Sequence, residues 1–280
     1  MKTIGFIDYY LDEWHANNYP KRIKEASGGE MQVKYAYGKI DSPLPGGRTT
    51  QQWCQEEGIQ QVGSIEELIE KCDCINVLSP DNPEMHEELC QLPLKSGKPV
   101  YIDKTFAETR ASAEKIFQIA ESHGTPCFSA SALRFASELD AVDKSQVTGL
   151  VSVGPGLLDN YSIHQIEPII YLMGPEVVRV QFTGTQDLPG AVLEFKDGRR
   201  AHFSHHGWDC PFAMTVDLAG GGCLRHEVRS DYFGRFMKAM LAFFDGGPEV
   251  VSHQDTIAVI SAREAAIKAA ANPGCWVMAE

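Results

Sequence analysis

The strongest constraint on this chain is a change of rhythm near its middle. Up to about Arg134, short β-rich runs alternate with helical ones, the pattern of a parallel sheet covered by helices on both faces. The strands are expected at Thr3 to Ile7, Gln32 to Tyr37, Cys74 to Leu78, Val100 to Ile102 and Cys127 to Ser129. Ser64 with Glu67 reads as a capping box opening a helix. Ala113, Ile116, Phe117 and Ala120 recur at helical spacing before Gly124 and Pro126 stop that run. Gly38 to Thr50, with Pro43, Pro45, Gly46 and Gly47, reads as a loop.

After about Val147 the strands lengthen and pair as hairpins. Asp197-Gly198 predicts a type I′ turn between Ala191 to Phe195 and Ala201 to His205. Further strands are expected at Val177 to Phe182, Ala213 to Leu218 and Cys223 to Val228. Helices at Phe233 to Phe244 and Asp255 to Ala271 close the chain. The fold class expected is therefore α/β: a doubly wound, Rossmann-like parallel-sheet domain over residues 1–134, then an α+β domain with a mainly antiparallel sheet over 135–280. The final helices are free to pack back on the first domain.

Charge narrows the partners. The chain has 25 Lys plus Arg against 38 Asp plus Glu, a formal net charge of -13, and such a field repels polyanions. Nucleic acid and anionic membranes are excluded as partners. No apolar run approaches the ~20 residues that cross a bilayer, and Asp8 interrupts the first strand before a signal-peptide core can form. A soluble cytoplasmic protein is expected. Its cysteines read as reduced, mostly buried thiols, because a chain of 280 residues needs no disulfide staples. Cys72-x-Cys74 has no second pair at zinc-ribbon spacing, so no metal site is expected.

In a doubly wound sheet, ligands lie beyond the carboxyl ends of the strands. There the chain reads SGKPVYIDKTFAET from Ser96 and CDCINVLSPDNPEMH from Cys72, and later NYSIHQIEPIIYLMG from Asn160. The first resembles the G-K-H-V-x-x-E-K-P-x-A motif of the Gfo/Idh/MocA oxidoreductases. The second is similar to that family's D-x-V-x-I-x-T-P-x-x-x-H segment, and the third resembles its D-x-G-x-H-x-x-D-x-x-x-x-x-x-G helix. Their order and the terminal helices fit as well.

The resemblance implies an NAD- or NADP-dependent oxidoreductase moving hydride between a sugar-like or polyol hydroxyl and the nicotinamide. It implies that Lys104 polarises the reacting hydroxyl and relays its proton, and that His164 is the general acid or base. Asn160 stands where the family has an Asp that orients this histidine, with Asp159 beside it. Pro168, four residues after His164, predicts a bent or irregular helix. Cofactor contacts are implied for Ile7, Asp8 and Tyr9 after the first strand, Tyr37 after the second, Ser79, Pro80, Asn82 and His86 after the strand at 74–78, Asp103 beside Lys104, and Arg134. A structural salt bridge is the equal alternative for Arg134. Tyr161 and His206 are the substrate-side candidates. The His202, His205 and His206 group does not suggest a chelate, since on a strand His202 and His206 stand about 13 Å apart. Self-association into a homo-oligomer is expected from the open sheet face.

The first strand departs from the family. A dinucleotide site wants G-x-G-x-x-G there, so that backbone amides approach the pyrophosphate. This chain has Ile4-Gly5-Phe6-Ile7-Asp8-Tyr9-Tyr10-Leu11-Asp12-Glu13-Trp14-His15. Two readings stay open: a degenerate nucleotide site, or an altered pocket lined by Asp8, Tyr9, Tyr10, Asp12 and His15. Lys39, after the second strand, reads as a solvated loop lysine or a partner for the 2′-phosphate of NADP. The alternative to a dehydrogenase is a cofactor-poor binding or regulatory protein, or an enzyme of another reaction type on the same scaffold.

Overall fold

The computed structural model describes residues 1–279. The described residues form two compact units, Met1–Ala107 with Ala111–Ser129 and Phe236–Ser252, and Glu108–Arg110 with Ala130–Arg235 and residues 253–279.

In chain order the first unit runs through β1 (Lys2–Asp8), α1 (Trp14–Ala26), β2 (Met31–Gly38), α2 (Thr50–Glu57), β3 (Gln60–Gln61), α3 (Ile65–Lys71), β4 (Cys74–Val77), α4 (His86–Leu89), β5 (Val100–Ile102), α5 (Arg110–His123) from its second residue, and β6 (Cys127–Phe128). The sheet order is β3-β2-β1-β4-β5-β6, and every pairing is parallel. The doubly wound expectation therefore holds. Ile4, Phe6, Ile7, Ile75, Val77, Val100, Tyr101 and Ile102 are buried, as strands sandwiched between helices require. Helix α1 buries Ala16, Tyr19 and Ile23 along one stripe. Tyr101 packs on Phe128 and Phe236, and Phe128 on Phe243, which ties this core to the chain's later Phe236–Ser252 stretch. At α3 the capping box is half made. The Ser64 hydroxyl accepts the Glu67 amide at 3.2 Å, while the Glu67 carboxylate takes the amide of Gly63 at 2.8 Å, one residue outside the box.

The second unit contains β7 (Val147–Pro155), α6 (Leu158–Met173), β8 (Val177–Phe182), β9 (Gly190–Phe195), β10 (Arg200–His206), β11 (Ala213–Leu218), β12 (Cys223–Glu227), the start of α7 (Tyr232–Phe244), α8 (His253–Ala270) and β13 (Trp276–Met278). Its sheet runs β12-β11-β7-β10-β9-β8-β13 and is antiparallel except where β10 pairs with β7. Ile163, Ile166 and Ile170 of α6 are buried, as are Ala262, Ala265, Ala266 and Ala269 of α8, whose small side chains let the two helices lie close.

Two local expectations are corrected. Asp197-Gly198 does not form a type I′ turn. Phe195 and Arg199 close a three-residue loop in which the Gly198 amide donates to the Phe195 carbonyl at 2.9 Å, with Gly198 alone at positive φ, 86°. That is a type I turn followed by a bulge glycine. Pro168 leaves α6 helical from Leu158 to Met173, so the segment is one continuous helix and not an irregular one. Burial of Ile166, Ile169 and Ile170 around it offsets the roughly 3 kcal/mol an interior proline costs. No helix among the described residues is long and apolar enough to cross a membrane.

Candidate functional site

In the first unit the strand order reverses between β1 and β4, which makes the ends of those strands the ligand position of a doubly wound sheet. Ile7 and Asp8 end β1, and Ser79 follows β4 in the left-handed region, φ 74°. From there its hydroxyl donates to Asp8 Oδ1 at 2.8 Å and accepts the Tyr9 amide at 2.9 Å. Asp8 Oδ2 is buried with no hydrogen-bond partner. Burial holds the Asp8 carboxyl well above the usual carboxylate range against those bonds, and the Asp103 charge adds to the shift.

The turn into α1 is filled rather than open. Tyr10 and Leu11 are buried in it. Asp12 points to Arg48, which donates from Nε at 2.9 Å and from its backbone amide at 2.9 Å; despite the desolvation of Asp12, these bonds hold its carboxyl below its ordinary range. Glu13 caps the helix, its carboxylate accepting the amides of His15, at 2.6 Å, and Ala16. Burial, and then the Asp8 charge, push the Glu13 carboxyl well above its usual range. The amides that would meet a diphosphate at a helix N-terminus thus already have acceptor oxygens from the chain itself.

Lys104 follows β5 and is buried, its Nζ 3.4 Å from the Pro80 carbonyl. The peptide bond between Lys104 and Thr105 is cis. Beside it, Asp103 is fully buried. Its Oδ1 accepts the Tyr101 hydroxyl at 2.9 Å and the Lys104 amide at 2.8 Å, and its Oδ2 meets Nδ1 of His15. Burial pushes the Asp103 carboxyl up, but the charge and hydrogen bond of His15, the Lys104 ammonium and the Tyr101 hydroxyl together bring it below its ordinary value. Both of its oxygens are engaged within the unit.

His86 is also fully buried, with Nδ1 3.0 Å from the Phe106 carbonyl and Nε2 against that of Leu78. It links the segments after β4 and β5 and offers no ring nitrogen to a ligand. Asn82 donates to Glu84 at 2.8 Å, Tyr37 lies half-buried near the end of β2, and Lys39 pairs with Glu88 at 2.6 Å. The structure therefore gathers Asp8, Tyr9, Ser79, Pro80, Asp103 and Lys104 at one end of the sheet. At this corner the turn holds Tyr10 and Leu11 and the helix terminus holds Glu13, so a dinucleotide's diphosphate would have to displace that side chain to reach the α1 amides.

In the second unit, Nδ1 of His164 is hydrogen-bonded to the Ser131 hydroxyl at 2.7 Å, and its ring meets Tyr161 and Phe212 edge-on. Asn160 lies one helical turn earlier on α6. Asp159 is engaged by Arg263, which donates to its carbonyl and carboxylate. Ser131 is itself fixed by its amide, which donates to Glu167 at 2.6 Å. The Arg134 guanidinium pairs with Asp255 at 2.7 Å and lies over the Tyr171 ring. Tyr161 packs edge-on against Trp208, and exposed His206 bonds to the Ser204 hydroxyl at 3.1 Å. His205, by contrast, faces inward, with Nδ1 3.0 Å from the Pro155 carbonyl.

Sequence reasoning missed three positioning residues: Ser131, Glu13 as a cap, and Asp103 as a partner of His15. A carboxylate two residues before a helical stripe could have signalled the cap. The other two are long-range pairings with no local signal.

Residues 45–131 match the model of the Gfo/Idh/MocA oxidoreductases, a family described by its NAD-binding Rossmann fold. This is the family whose motifs the sequence resembles, and the match begins beyond the β1–α1 corner. No curated protein matches the sequence. Among solved structures, scyllo-inositol dehydrogenase from Lactobacillus casei with bound NAD(H) and scyllo-inositol is 15% identical, with a TM-score of 0.74 over 99% of each chain. An oxidoreductase from Bacillus cereus is 15% identical, TM-score 0.73, over 100% of this chain and 99% of the other. GenD2 from gentamicin A biosynthesis in complex with NAD is 15% identical, TM-score 0.78, over 99% of this chain and 97% of that one. At such identities the likeness establishes a shared fold along the whole chain.

Proposed function

We propose that the protein is an oxidoreductase acting on a hydroxyl of a sugar-like or polyol substrate, with NAD or NADP as its redox partner. The family match and the fold shared with a polyol dehydrogenase support the reading. The observation that carries it is Lys104: a buried ammonium at the carboxyl end of β5, next to a carboxylate held ionised. Such a cation lowers the energy of a hydroxyl oxygen as its proton leaves. The nicotinamide would supply the hydride chemistry, and the chain supplies orientation and proton handling. His164, oriented by Ser131 with Asn160 a turn away, is proposed as a further proton carrier, and Tyr161 and His206 as substrate contacts. A homo-oligomeric, cytoplasmic enzyme completes the proposal.

One observation favours a second reading. With the α1 terminus capped by Glu13, the scaffold is also suited to binding or acid–base chemistry on a polyol without a dinucleotide. Titration with NADH and NADPH, followed by nicotinamide fluorescence, separates the two. Saturable binding below millimolar cofactor supports the oxidoreductase; absence of saturation leaves the second reading.

A further inference from the structure

We infer that His15 is a second acid–base residue, held by Asp103 as a positioning residue, and that it exchanges a proton with the hydroxyl handled by Lys104. The inference rests on the polyol reading above and adds a group to that site.

Three features fix the ring. Asp103 Oδ2 engages Nδ1, and the carboxylate is itself immobilised by the Tyr101 hydroxyl and the Lys104 amide. Tyr19 stacks on the imidazole at 4.9 Å and 12°, while Trp14 meets it edge-on at 5.3 Å. The His15 amide donates to Glu13, anchoring the residue in the first turn of α1. With Nδ1 held by a carboxylate, Nε2 is the nitrogen left for a substrate. The His15 side chain keeps 11% of its surface exposed, whereas Asp103 keeps none. His86, in the same unit, has both nitrogens on backbone carbonyls and has no such capacity. A buried carboxylate that fixes one imidazole nitrogen and stabilises the imidazolium, leaving the other nitrogen as the base, is the division of labour of a catalytic Asp–His pair.

The proton transfer balances within this unit. The substrate O–H bond breaks, an N–H bond forms at Nε2, and the electron pair stays on oxygen as an alkoxide. Asp103 offsets the charge on the ring, and the Lys104 ammonium offsets the charge on the alkoxide. Asp103 and Glu13 are hydrogen-bonded to His15, and Tyr19 and Trp14 pack on its ring, while the charges of Asp8, Lys104 and Arg22 act on those partners.

Imidazole NMR on the full chain, without ligand, tests the pairing. A proton on Nδ1 of His15 is expected, together with a proton affinity that falls at least tenfold in Asp103→Asn. If that variant does not fold, Tyr101→Phe raises the affinity instead, because a carboxylate deprived of one donor leans harder on the imidazolium. With scyllo-inositol and NAD as probes, His15→Gln is expected to cut kcat about a hundredfold, leave KM within threefold and abolish the acidic limb of the pH profile. An Nδ1 without a proton, a ring titration unmoved by either carboxylate-side variant, or wild-type kcat and pH profile in His15→Gln overturns the inference. If the probe is not turned over, the ring titration alone decides. Failure of the oxidoreductase reading looks different: no NADH saturation, with the His15 titration intact.

Discussion

Glu13 Oε2 accepts the amide of His15 at 2.6 Å, so the first turn of α1 is closed by a carboxyl group from its own chain. Replacing Glu13 separates the cap from the carboxyl group. Glu13→Ala is expected to lower stability by about 1 kcal/mol in chemical denaturation, the usual loss of an N-cap. Glu13→Ser keeps a capping oxygen and removes the carboxyl, and NADH affinity by fluorescence titration is expected to rise tenfold or more as the terminus becomes available to phosphate. Unchanged affinity in Glu13→Ser would place the obstruction at Tyr10 and Leu11 instead.

Lys104 gives a split between binding and chemistry. Its ammonium is buried beside Asp103, and the proposed role sets it on the reacting oxygen rather than on a dinucleotide's phosphates. Lys104→Met preserves the packing of the stem and removes the charge. Turnover is expected to fall a hundredfold or more while NADH affinity stays within threefold. Equal losses of both would make Lys104 a binding residue only.

The sheet architecture was legible because burial writes itself into local pattern. Ile75 and Val77, or Val100 to Ile102, read as buried strands from their neighbours alone. Strand β7 escaped because Gly149 and Gly154, with Thr148 and Ser152, dilute its alternation, although it lies between β11 and β10. Helix α1 escaped behind Asn17, Asn18 and Pro20, although Ala16, Tyr19 and Ile23 mark its buried stripe. At the site, Lys104 could be singled out by its place after a strand. The partners could not: His15 and Asp103 are separated by 88 positions, and Ser131 and His164 by 33. Sequence shows which side chains carry chemistry, but only folding decides which of them meet.

Gly5 shows that a glycine in β1 can serve the fold rather than a nucleotide. A Cβ at this position would meet the Leu68 side chain and come within 2.7 Å of the Cys72 sulfur, so α3 and the residue after it approach the strand as closely as hydrogen allows. Gly5→Ala is expected to destabilise the protein by roughly 1–3 kcal/mol through overpacking, read as a lower denaturation midpoint. NADH affinity in the folded variant is expected to be unchanged, since the substitution points at α3.

Glu167 sets a pH dependence whose sign can be worked out. Burial pushes its carboxyl up to about 7, against the Arg134 guanidinium and the Ser131 amide, with the Asp255 charge adding to the rise. The folded protein therefore holds this proton more tightly than the unfolded chain, whose glutamates titrate near 4.5. The resulting stability is fully present below pH 4.5 and is lost as the pH climbs through about 7, a swing on the order of 3 kcal/mol. Other carboxylates work in the opposite sense. Asp103, held below its ordinary value, loses its contribution as the pH falls. The comparison must therefore be with Glu167→Gln, which keeps an acceptor for the Ser131 amide and cannot ionise. Thermal midpoints of the two proteins are expected to diverge between pH 5 and pH 8, with the variant gaining on the wild type as the pH rises. A difference that stays flat across that range would mean that Arg134, 3.9 Å away, already keeps Glu167 ionised.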